Sequence, residues 1–347
     1  MLENIAKSKR RALYIAEIGL NHNGSMDTAR SMISAAAAAG ADFVKFQTFV
    51  PELLSSVYTA DLLSTGIECK RDTGSIDFFK KFVFGREEYA ELKSLAANSG
   101  LHFFSSVFDL ESLKLLEDIG VSLYKLASSE VTNHPLIEAV AETGKPVILS
   151  TGISAEDEIM QAVELFRKHT SAELILLHCV SLYPTRPEKA NLARIPALAK
   201  RFNLPVGFSD HTKEAAAPVV AAACGARIFE KHFTIDRFHD CPDKAISCTP
   251  EQFARMIKSV ERAIGMIGTG AISYGGAEAG AARAARRSLF ARRLIPKGKT
   301  IDTDDLVALR PGVGIPAYEL KYIVGKKSRI DIPENFLLRK EYLEGAV

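Results

Sequence analysis

Two lysines of this 347-residue chain lie near the ends of short apolar runs, and serines occupy the same place in other runs. Lys45 belongs to the run 42–47 and Lys125 to the run 122–126. Lysine supplies a positive charge and hydroxyl groups supply hydrogen bonds, as a ligand with both a phosphate and a carboxylate requires. These residues therefore predict an anion site. Its hydroxyl residues are Ser106, Ser128, Ser150 and Ser209.

Two histidines, His211 and His232, follow neighbouring apolar runs and predict a second kind of chemistry. Imidazole nitrogens bind divalent transition metals, and two protein ligands leave coordination positions open for water and substrate. Such a site suits Lewis-acid catalysis. His102 and His178 lie within apolar runs and are interpreted as buried core residues instead.

Acidic and other polar residues stand at further run ends. Glu17 and Glu130 have a plain interpretation as counter-charges for the two lysines. Glu230 ends the run 226–230, two residues before the predicted metal ligand His232. Arg310, in the segment LRPGVG, is by composition alone a surface residue. The remaining polar residues at or after run ends include Gln47, Tyr183 and Asp243.

The elements that must position these side chains alternate along the chain. The apolar runs are 13–18, 42–47, 101–105, 122–126, 146–150, 173–178, 205–208 and 226–230. Helix-like stretches between and after them are 26–39, 86–99, 109–119, 135–143, 154–168, 188–202, 212–223 and 250–264. Capping residues such as Ser25, Ser154 and Thr249 precede helices, and glycines follow many of them.

Eight β/α repeats imply a parallel sheet, and eight units that close on themselves form a (β/α)8 TIM barrel. In such a barrel, catalytic residues lie at the carboxyl ends of the strands. The alternative is a doubly wound open sheet, which often carries a GxGxxG turn after its first strand. The segment 19–24 does not fit that motif, so we predict an α/β protein with a TIM barrel.

Changes in composition and in the pattern of predicted elements along the chain predict its domains. The barrel is expected to cover 1–265, with a long insertion over the active site at 49–85. Residues 266–284 are rich in glycine and alanine and are predicted to be a linker. Residues 285–347 alternate short strands and turns and are predicted to form a small second domain.

Composition excludes several classes of partner. Forty-four basic and 42 acidic residues leave a net charge of +2, which gives no electrostatic case for nucleic acid or membranes. The five cysteines are odd in number, none are CxxC-spaced, and no signal peptide is apparent, so we expect reduced thiols and a cytoplasmic location. No charge-free apolar stretch is long enough to span a membrane.

Seven segments, in this order along the chain, resemble one enzyme family. They are AEIGLNHNG (16–24), VKFQTF (44–49), YKLASSE (124–130), ILSTGIS (148–154), LLHCVSLYPT (176–185), FSDHT (208–212) and EKHFT (230–234). The family is that of the sialic acid synthases, which includes the N-acetylneuraminate, legionaminate and pseudaminate synthases. The tail 286–347, with RPG at 310–312, resembles the antifreeze-like (SAF, β-clip) domain that follows the barrel in these enzymes.

The resemblance implies a transferase that condenses phosphoenolpyruvate (PEP) with an open-chain N-acetylated amino sugar, releasing phosphate by C–O cleavage. N-acetylmannosamine is the first expected acceptor, and a 2,4-diacetamido-6-deoxy hexose is the alternative. The resemblance also implies a divalent metal, with Mn²⁺ expected before Mg²⁺ or Co²⁺. It further implies a domain-swapped homodimer, in which Arg310 reaches the partner's barrel and contacts the acyl group.

The resemblance assigns roles by position. Glu17 and Glu130 match acidic residues for proton transfer and water activation, and His211 and His232 match the metal ligands. The PEP-binding positions are Lys45, Ser106, Lys125, Ser128, Ser150 and Ser209. The lysines would also be catalytic, since they offset charge on the departing phosphate. The sugar-binding positions are Gln47, Tyr183, Asp243 and Arg310.

Three departures from the family pattern lie on the sugar side: Ser181, Lys244 in place of a histidine, and the stretch 56–81. They leave the acceptor open. Two other hypotheses remain open: a Schiff-base aldolase with Lys45 or Lys125 as nucleophile, and a degenerate barrel that carries a polysaccharide- or ice-binding tail. The histidine pair argues against the first, and the intact strand-end residues argue against the second.

Overall fold

Eight short parallel strands close into a barrel in the computed structural model, which describes residues 12–57 and 73–345. Each strand pairs with the next along the chain, and the first pairs with the eighth. The predicted TIM barrel is therefore confirmed, and each predicted run overlaps one strand. The strands are β1 (Leu13–Gly19), β2 (Phe43–Thr48), β3 (His102–Val107), β4 (Tyr124–Leu126), β5 (Val147–Ser150), β6 (Leu174–His178), β7 (Val206–Asp210) and β8 (Ile228–His232).

Helices follow the strands and end close to their predicted bounds. Ser25 caps the first helix by accepting a hydrogen bond from the Thr28 N–H, and Thr249 caps the last one of the barrel. The barrel helices are α1 (Met26–Ala38), α2 (Pro51–Leu54), α3 (Gly74–Lys80), α4 (Arg86–Asn98), α5 (Leu110–Asp118), α6 (His134–Glu142), α7 (Glu156–His169), α8 (Arg194–Phe202), α9 (Ala216–Ala223) and α10 (Pro250–Ile267). Among the described helices, none is both long and apolar enough to cross a membrane.

Side chains alternate across each strand, and this alternation decides which residues face the barrel interior. Two residues beyond the apolar layer of the interior, β1, β2 and β8 present Glu17, Lys45 and Glu230 on the same face. The strand register places Glu17 opposite Lys45 on one side and opposite His232 on the other. The barrel thus gathers charged groups above an apolar layer. That layer consists of Leu13, Ile15, Phe43, Phe104, Leu123, Ile148, Ile175, Leu177 and Ile228.

The predicted insertion after β2 contributes an apolar cluster beside the carboxyl end of the barrel. Its residues 58–72 lie outside the described range, while α2 and α3 belong to the described part. Phe49 and Phe82 from this segment pack with Leu20, which follows β1, and Phe108, which follows β3, packs against the same cluster. The insertion therefore supports two loops that follow barrel strands.

The chain divides into two units between Gly268 and Thr269. The second unit contains α11 (Ala277–Ala285), the antiparallel strands β9 (Ser288–Ala291) and β10 (Leu306–Leu309), and α12 (Leu320–Ile323). The segment 266–284, predicted as a linker, thus holds most of a helix, because its alanines favour helix where its glycines do not interrupt. A separate core fills the second unit, formed by Leu289, Ala291, Ile295, Ile301, Leu306, Ile315, Ile323, Ile332, Leu338 and Leu343.

Asp305 is the buried charge of the second unit. Its carboxylate accepts hydrogen bonds from Arg293 Nε at 2.7 Å, from the Asp302 N–H at 3.0 Å and from Lys299. Burial alone would raise the pKa of Asp305, but the hydrogen bonds from Lys299, Asp302 and Arg293 outweigh burial and lower it to about 2. The ionised carboxylate therefore stabilises the small domain.

We predict that Asp305→Asn lowers the unfolding midpoint of the full chain at pH 7. The folded pKa lies below the ordinary 3.8, so the carboxylate stabilises the fold above that value and loses its effect as the pH falls towards 2. The midpoint difference between wild type and variant should therefore shrink over that interval in thermal unfolding monitored by circular dichroism. The matched control is Asp304→Asn, at an exposed neighbour. Equal midpoints at pH 7 would contradict the assignment.

Candidate active site

A cavity of about 420 Å³ opens at the carboxyl ends of the barrel strands. Most of the residues predicted for the site line this cavity, as the barrel geometry requires. They are Glu17, Lys45, Gln47, Ser106, Lys125, Ser128, Ser150, Tyr183, Ser209, His211, His232 and Asp243. Two predicted residues are elsewhere: Glu130 is not part of the lining, and Arg310 is an exposed residue of the second unit.

Glu130 lies in the short 3-10 turn Ser128–Thr132 after β4. Its two carboxylate oxygens accept hydrogen bonds from Ser129 Oγ at 2.8 Å and from Asn133 Nδ2 at 2.7 Å. Its carboxylate therefore holds this turn together, and its predicted catalytic role has no support from its position. The sequence could not reveal this, because a strand end and the turn after it have the same composition of small polar residues.

Lys45 is the centre of the cavity floor. Its ammonium group lies 2.8 Å from Glu17 Oε2 and 3.6 Å from Glu230 Oε2, and it donates to Ser106 Oγ at 2.9 Å. All three charged side chains are almost completely buried. Glu17 also accepts a hydrogen bond from Gln47 Nε2 at 2.9 Å. The expected pairing of Glu17 with a lysine is thus present, and Glu17 remains at the cavity surface.

Lys125 faces the same floor from β4. Its ammonium donates to Ser150 Oγ at 2.7 Å, and Glu230 accepts from Ser209 Oγ at 2.8 Å. Glu230 was visible in the sequence as a strand-end residue, but no role was assigned to it. Counting alternate residues back from His232 along the last strand would have found it, because both must face the interior.

The charges of the floor shift one another's pKa values. Burial would lower the pKa of Lys45, but Glu17 and Glu230 outweigh it and the pKa is raised. Burial would raise the pKa of Glu230, but Lys125 and Lys45 lower it to about 2. Burial lowers the pKa of Lys125, and burial together with Glu230 raises the pKa of Glu17 against the opposing pull of Lys45. Glu230 is therefore ionised near pH 7, whereas Glu17 is the carboxyl group that exchanges a proton more readily.

His211 and His232 lie side by side, with ring centroids 5.5 Å apart. His211 Nδ1 is 2.8 Å from the carbonyl oxygen of Val180, which can only accept, so Nδ1 carries the proton and Nε2 keeps its lone pair. His232 Nδ1 is 3.2 Å from Asp243 Oδ2, which leaves its Nε2 for a ligand in the same way. Tyr183 stacks on His211 at 4.3 Å.

This donor set fits a divalent cation, because metal-bound histidines commonly donate their second nitrogen to a carbonyl or a carboxylate. Burial and the neighbouring His232 lower the pKa of His211 to about 3, so His211 is neutral near pH 7. Burial lowers the pKa of His232, but Asp243 outweighs it and the net shift is upward. Asp243, predicted to bind sugar, is thus placed to orient His232. Another group close enough to share a cation, Glu138, Glu142 and His169, joins α6 and α7 and is not part of the cavity lining.

Asn21 holds the loop that carries Asp243. Its side-chain amide donates to the Phe233 carbonyl oxygen at 2.9 Å and to Ser247 Oγ at 2.8 Å, and its oxygen accepts from the Asp243 N–H at 3.0 Å. His239 Nε2 is 2.6 Å from the Asn21 carbonyl oxygen. The sequence showed Asn21 only as part of the segment 16–24, because its partners are more than 210 residues away.

Gly152, after β5, permits Ser128, Cys179 and Ser181 to approach its backbone closely on one side of the cavity. Its N–H donates to Ser128 Oγ at 2.9 Å, and Ser128 Oγ lies 3.1 Å from Cys179 Sγ. A Cβ at position 152 would lie 2.5 Å from Ser181 Oγ and 2.7 Å from Cys179 Sγ. Cys179 is one of four free cysteines among the described residues, and Cys69 lies outside the described range.

A TIM barrel with two buried lysines, a set of hydroxyl groups and two ligand-competent histidines around one cavity has the architecture of a barrel-class enzyme, with side chains whose chemistry suits an anion and a divalent cation. Residues 32–271 match the model of the NeuB family, and residues 286–344 match that of the SAF domain. The chain belongs to the NeuB family.

Several relatives of the chain are named as synthases of legionaminic, pseudaminic or sialic acids. It is 34% identical to the N,N'-diacetyllegionaminic acid synthase of Legionella pneumophila, over 97% of this chain and 96% of the relative. It is also 34% identical to the pseudaminic acid synthase of Campylobacter jejuni, over 93% and 94% of the two chains. The crystal structure of the N-acetylneuraminic acid (sialic acid) synthetase from Leptospira borgpetersenii superposes with a TM-score of 0.71 at 35% identity, covering 79% of this chain and 91% of that one.

We predict a strong energetic coupling between Glu230 and Lys45. Glu230→Gln or Lys45→Met alone should lower the free energy of unfolding by about 3–5 kcal/mol, because each leaves the buried group with an excess of one charge. The double variant keeps one ammonium, Lys125, and one carboxylate, Glu17, so it should lose less than the sum of the single variants by about 1–3 kcal/mol. Urea unfolding of the three variants measures both quantities.

The matched control for this cycle is Glu214→Gln, at an exposed carboxylate that follows β7. It should change the free energy of unfolding by less than about 0.5 kcal/mol. Additive effects in the double variant would show that the buried carboxylate and the ammonium do not stabilise each other.

Proposed function

We propose that this protein condenses PEP with the aldehyde of an open-chain N-acetylated amino sugar, forming a nonulosonic acid and phosphate. The observation that supports this function most directly is the floor of the cavity, where Lys45 and Lys125 are buried together with serine hydroxyls next to two ligand-competent histidines. PEP has a phosphate and a carboxylate on the same carbon, C2, and this floor offers two ammonium groups for them.

The lysines hold and orient PEP. Lys45 and Lys125 already donate to Ser106 and Ser150, so their ammonium groups have fixed positions before the ligand binds. Fixed donors stabilise the charge of a departing phosphate without reorganisation during the reaction. Ser128 and Ser209 line the same cavity and add hydroxyl donors.

The histidine pair would hold the divalent ion, with Mn²⁺ expected before Mg²⁺ or Co²⁺. When bound, such an ion supplies Lewis-acid polarisation of the aldehyde oxygen. His211 and His232 are oriented for this by Val180 and Asp243, and Tyr183 covers the outer face of His211. Gln47 and Tyr183 are placed at the cavity wall, where the sugar hydroxyls would lie.

The reaction then needs one proton acceptor. C3 of PEP attacks the aldehyde carbon and forms the new C–C bond, which leaves negative charge on the aldehyde oxygen and positive charge at C2. Water adds to C2 and loses a proton to Glu17, whose raised pKa suits proton exchange, and Glu17 passes this proton to the aldehyde oxygen, which becomes a hydroxyl group. The C2–O bond to phosphate then breaks, the proton of the new C2 hydroxyl leaves with the phosphate, and the 2-keto group remains.

An isotope experiment tests this function. Phosphate release from PEP should depend on an acceptor from a panel of N-acetylmannosamine, its 6-phosphate and a 2,4-diacetamido-6-deoxy hexose. With ¹⁸O in the bridging C–O–P oxygen of PEP, the label should appear in phosphate, because the C–O bond breaks. Label retained in the sugar acid would contradict the mechanism. Borohydride trapping of pyruvate on Lys45 or Lys125 would instead support the Schiff-base alternative.

We further propose a homodimer in which the tail of one subunit completes the cavity of its partner. The domains would be a barrel at 1–265, a connection at 266–284 and an SAF domain at 285–347. Arg310 is exposed in the second unit, as a residue that acts on another subunit must be. Its guanidinium would bind the acyl oxygen of the sugar.

Mixed dimers test this arrangement. Arg310→Ala should lower turnover of N-acylated sugars while the KM for PEP stays nearly unchanged, and Lys125→Met should be inactive. After subunit exchange between these two variants, activity should reappear, because the barrel with Arg310→Ala receives an intact tail from the Lys125→Met subunit. No recovery in a verified heterodimer would exclude action in trans. The control mixture is wild type with Lys125→Met.

A further inference from the structure

Ile153, three residues after β5, has an unusual backbone conformation. Its φ is +45°, in the left-handed region that β-branched residues avoid. Four other non-glycine residues among those described have positive φ, and all four are asparagines, which tolerate it. They are Asn23, Asn191, Asn203 and Asn335. Isoleucine at position 153 is therefore a residue type that its backbone conformation disfavours.

The local contacts maintain this conformation. Gly152 is confined by Ser128, to which its N–H donates at 2.9 Å, and Ser154 Oγ donates back to the Gly152 carbonyl oxygen at 2.8 Å. The α7 helix begins three residues after Ile153, at Glu156. The hydrogen bonds of Gly152 and the start of α7 thus fix the course of the turn, and the strained residue lies at its tip.

The strain does not bury an apolar side chain. Ile153 is 73% exposed and lines the mouth of the cavity. Strained backbone at a cavity is commonly kept where it presents a side chain to a ligand. An isoleucine in water at that position contributes nothing to the core, so its gain must come from a contact made when the cavity is filled.

The mouth has an apolar character that the floor lacks. Leu20 and Phe108 line the cavity and are supported by the apolar cluster with Phe49 and Phe82. The floor, in contrast, is built from ammonium, carboxylate and hydroxyl groups. A ligand that matches this cavity is polar or anionic at its inner end and carries an apolar substituent at its outer end.

We propose that Ile153 is a specificity-determining residue that contacts a methyl group at the far end of the acceptor sugar. This inference rests on the function proposed above. The aldehyde carbon must reach C3 of PEP at the floor, so C4 to C6 of the sugar point towards the mouth. A methyl group there belongs to a 4-acetamido substituent or to a 6-deoxy carbon, whereas a 6-hydroxyl or 6-phosphate would meet an apolar wall.

The test compares two substitutions at position 153. Ile153→Asn suits the left-handed backbone and removes the apolar contact, and Ile153→Val keeps both the apolar contact and the β-branch. We expect Ile153→Asn to have an unfolding midpoint equal to or above that of wild type. Its KM for a 2,4-diacetamido-2,4,6-trideoxyhexose should rise about tenfold while its KM for PEP stays unchanged. Ile153→Val should resemble wild type in both.

Three outcomes would overturn the proposal. One is an unchanged sugar KM in Ile153→Asn, and another is an equal rise of both KM values. The third is a wild-type enzyme that prefers N-acetylmannosamine or its 6-phosphate over the diacetamido sugar, which would leave the proposed condensation intact. If the wild type releases no phosphate with any acceptor, the proposed function itself fails. A purely structural role predicts a lower unfolding midpoint without a selective change in sugar KM.

Two analogues distinguish the source of the methyl group. One is 6-deoxy-N-acetylmannosamine, which has the C6 methyl without the 4-acetamido group, and the other has the 4-acetamido group with a 6-hydroxyl. The rise in sugar KM caused by Ile153→Asn should be confined to the analogue whose methyl group contacts Ile153. An unchanged KM for both analogues would overturn the proposed contact.

Discussion

A buried ammonium group needs carboxylates at contact distance, because desolvation otherwise costs on the order of several kcal/mol. Lys45 on β2 meets this requirement with Glu17 on β1 and Glu230 on β8. The three strands are consecutive around the barrel, so the ion group also constrains their register. A slip of one residue in either carboxylate strand would turn that acid out of the barrel and leave Lys45 with one carboxylate in place of two. The floor of the cavity and the closure of the barrel thus depend on the same contact.

Above this floor, the parts of the cavity differ in rigidity and chemistry. The strands carry Glu17, Lys45, Lys125 and Glu230, whose positions the sheet fixes. The loops carry Asp243, Ile153 and Tyr183, and their backbones are fixed by individual hydrogen bonds rather than by the sheet. Asn21 connects one of these loops to the end of β1. Loops supported by a rigid barrel can change their apolar contacts without disturbing the anion floor.

The predicted residues that line the cavity lie either on strands or in the loops that follow them, and the strand residues follow most directly from the sequence. Alternation and the barrel rule place Lys45, Lys125 and Ser209 at one end of the barrel without any further information. Glu130 does not line the cavity, because it follows its strand by a turn in which local hydrogen bonds decide its direction. Asp243 lines the cavity, but its contact with His232 depends on the position of its loop. That loop is held by Asn21, which lies near the other end of the barrel domain in the sequence.

The sequence by itself determined the barrel, the small second domain and the strand-end residues that line the cavity, because periodicity and strand order are local properties of the chain. It did not reveal that Glu230 and Glu17 both contact the ammonium group of Lys45, or that the backbone of Ile153 is left-handed. These features depend on distances between residues far apart in the chain and on the crowding around Gly152. Only the closed barrel brings those groups within 4 Å of one another, where charge and packing act.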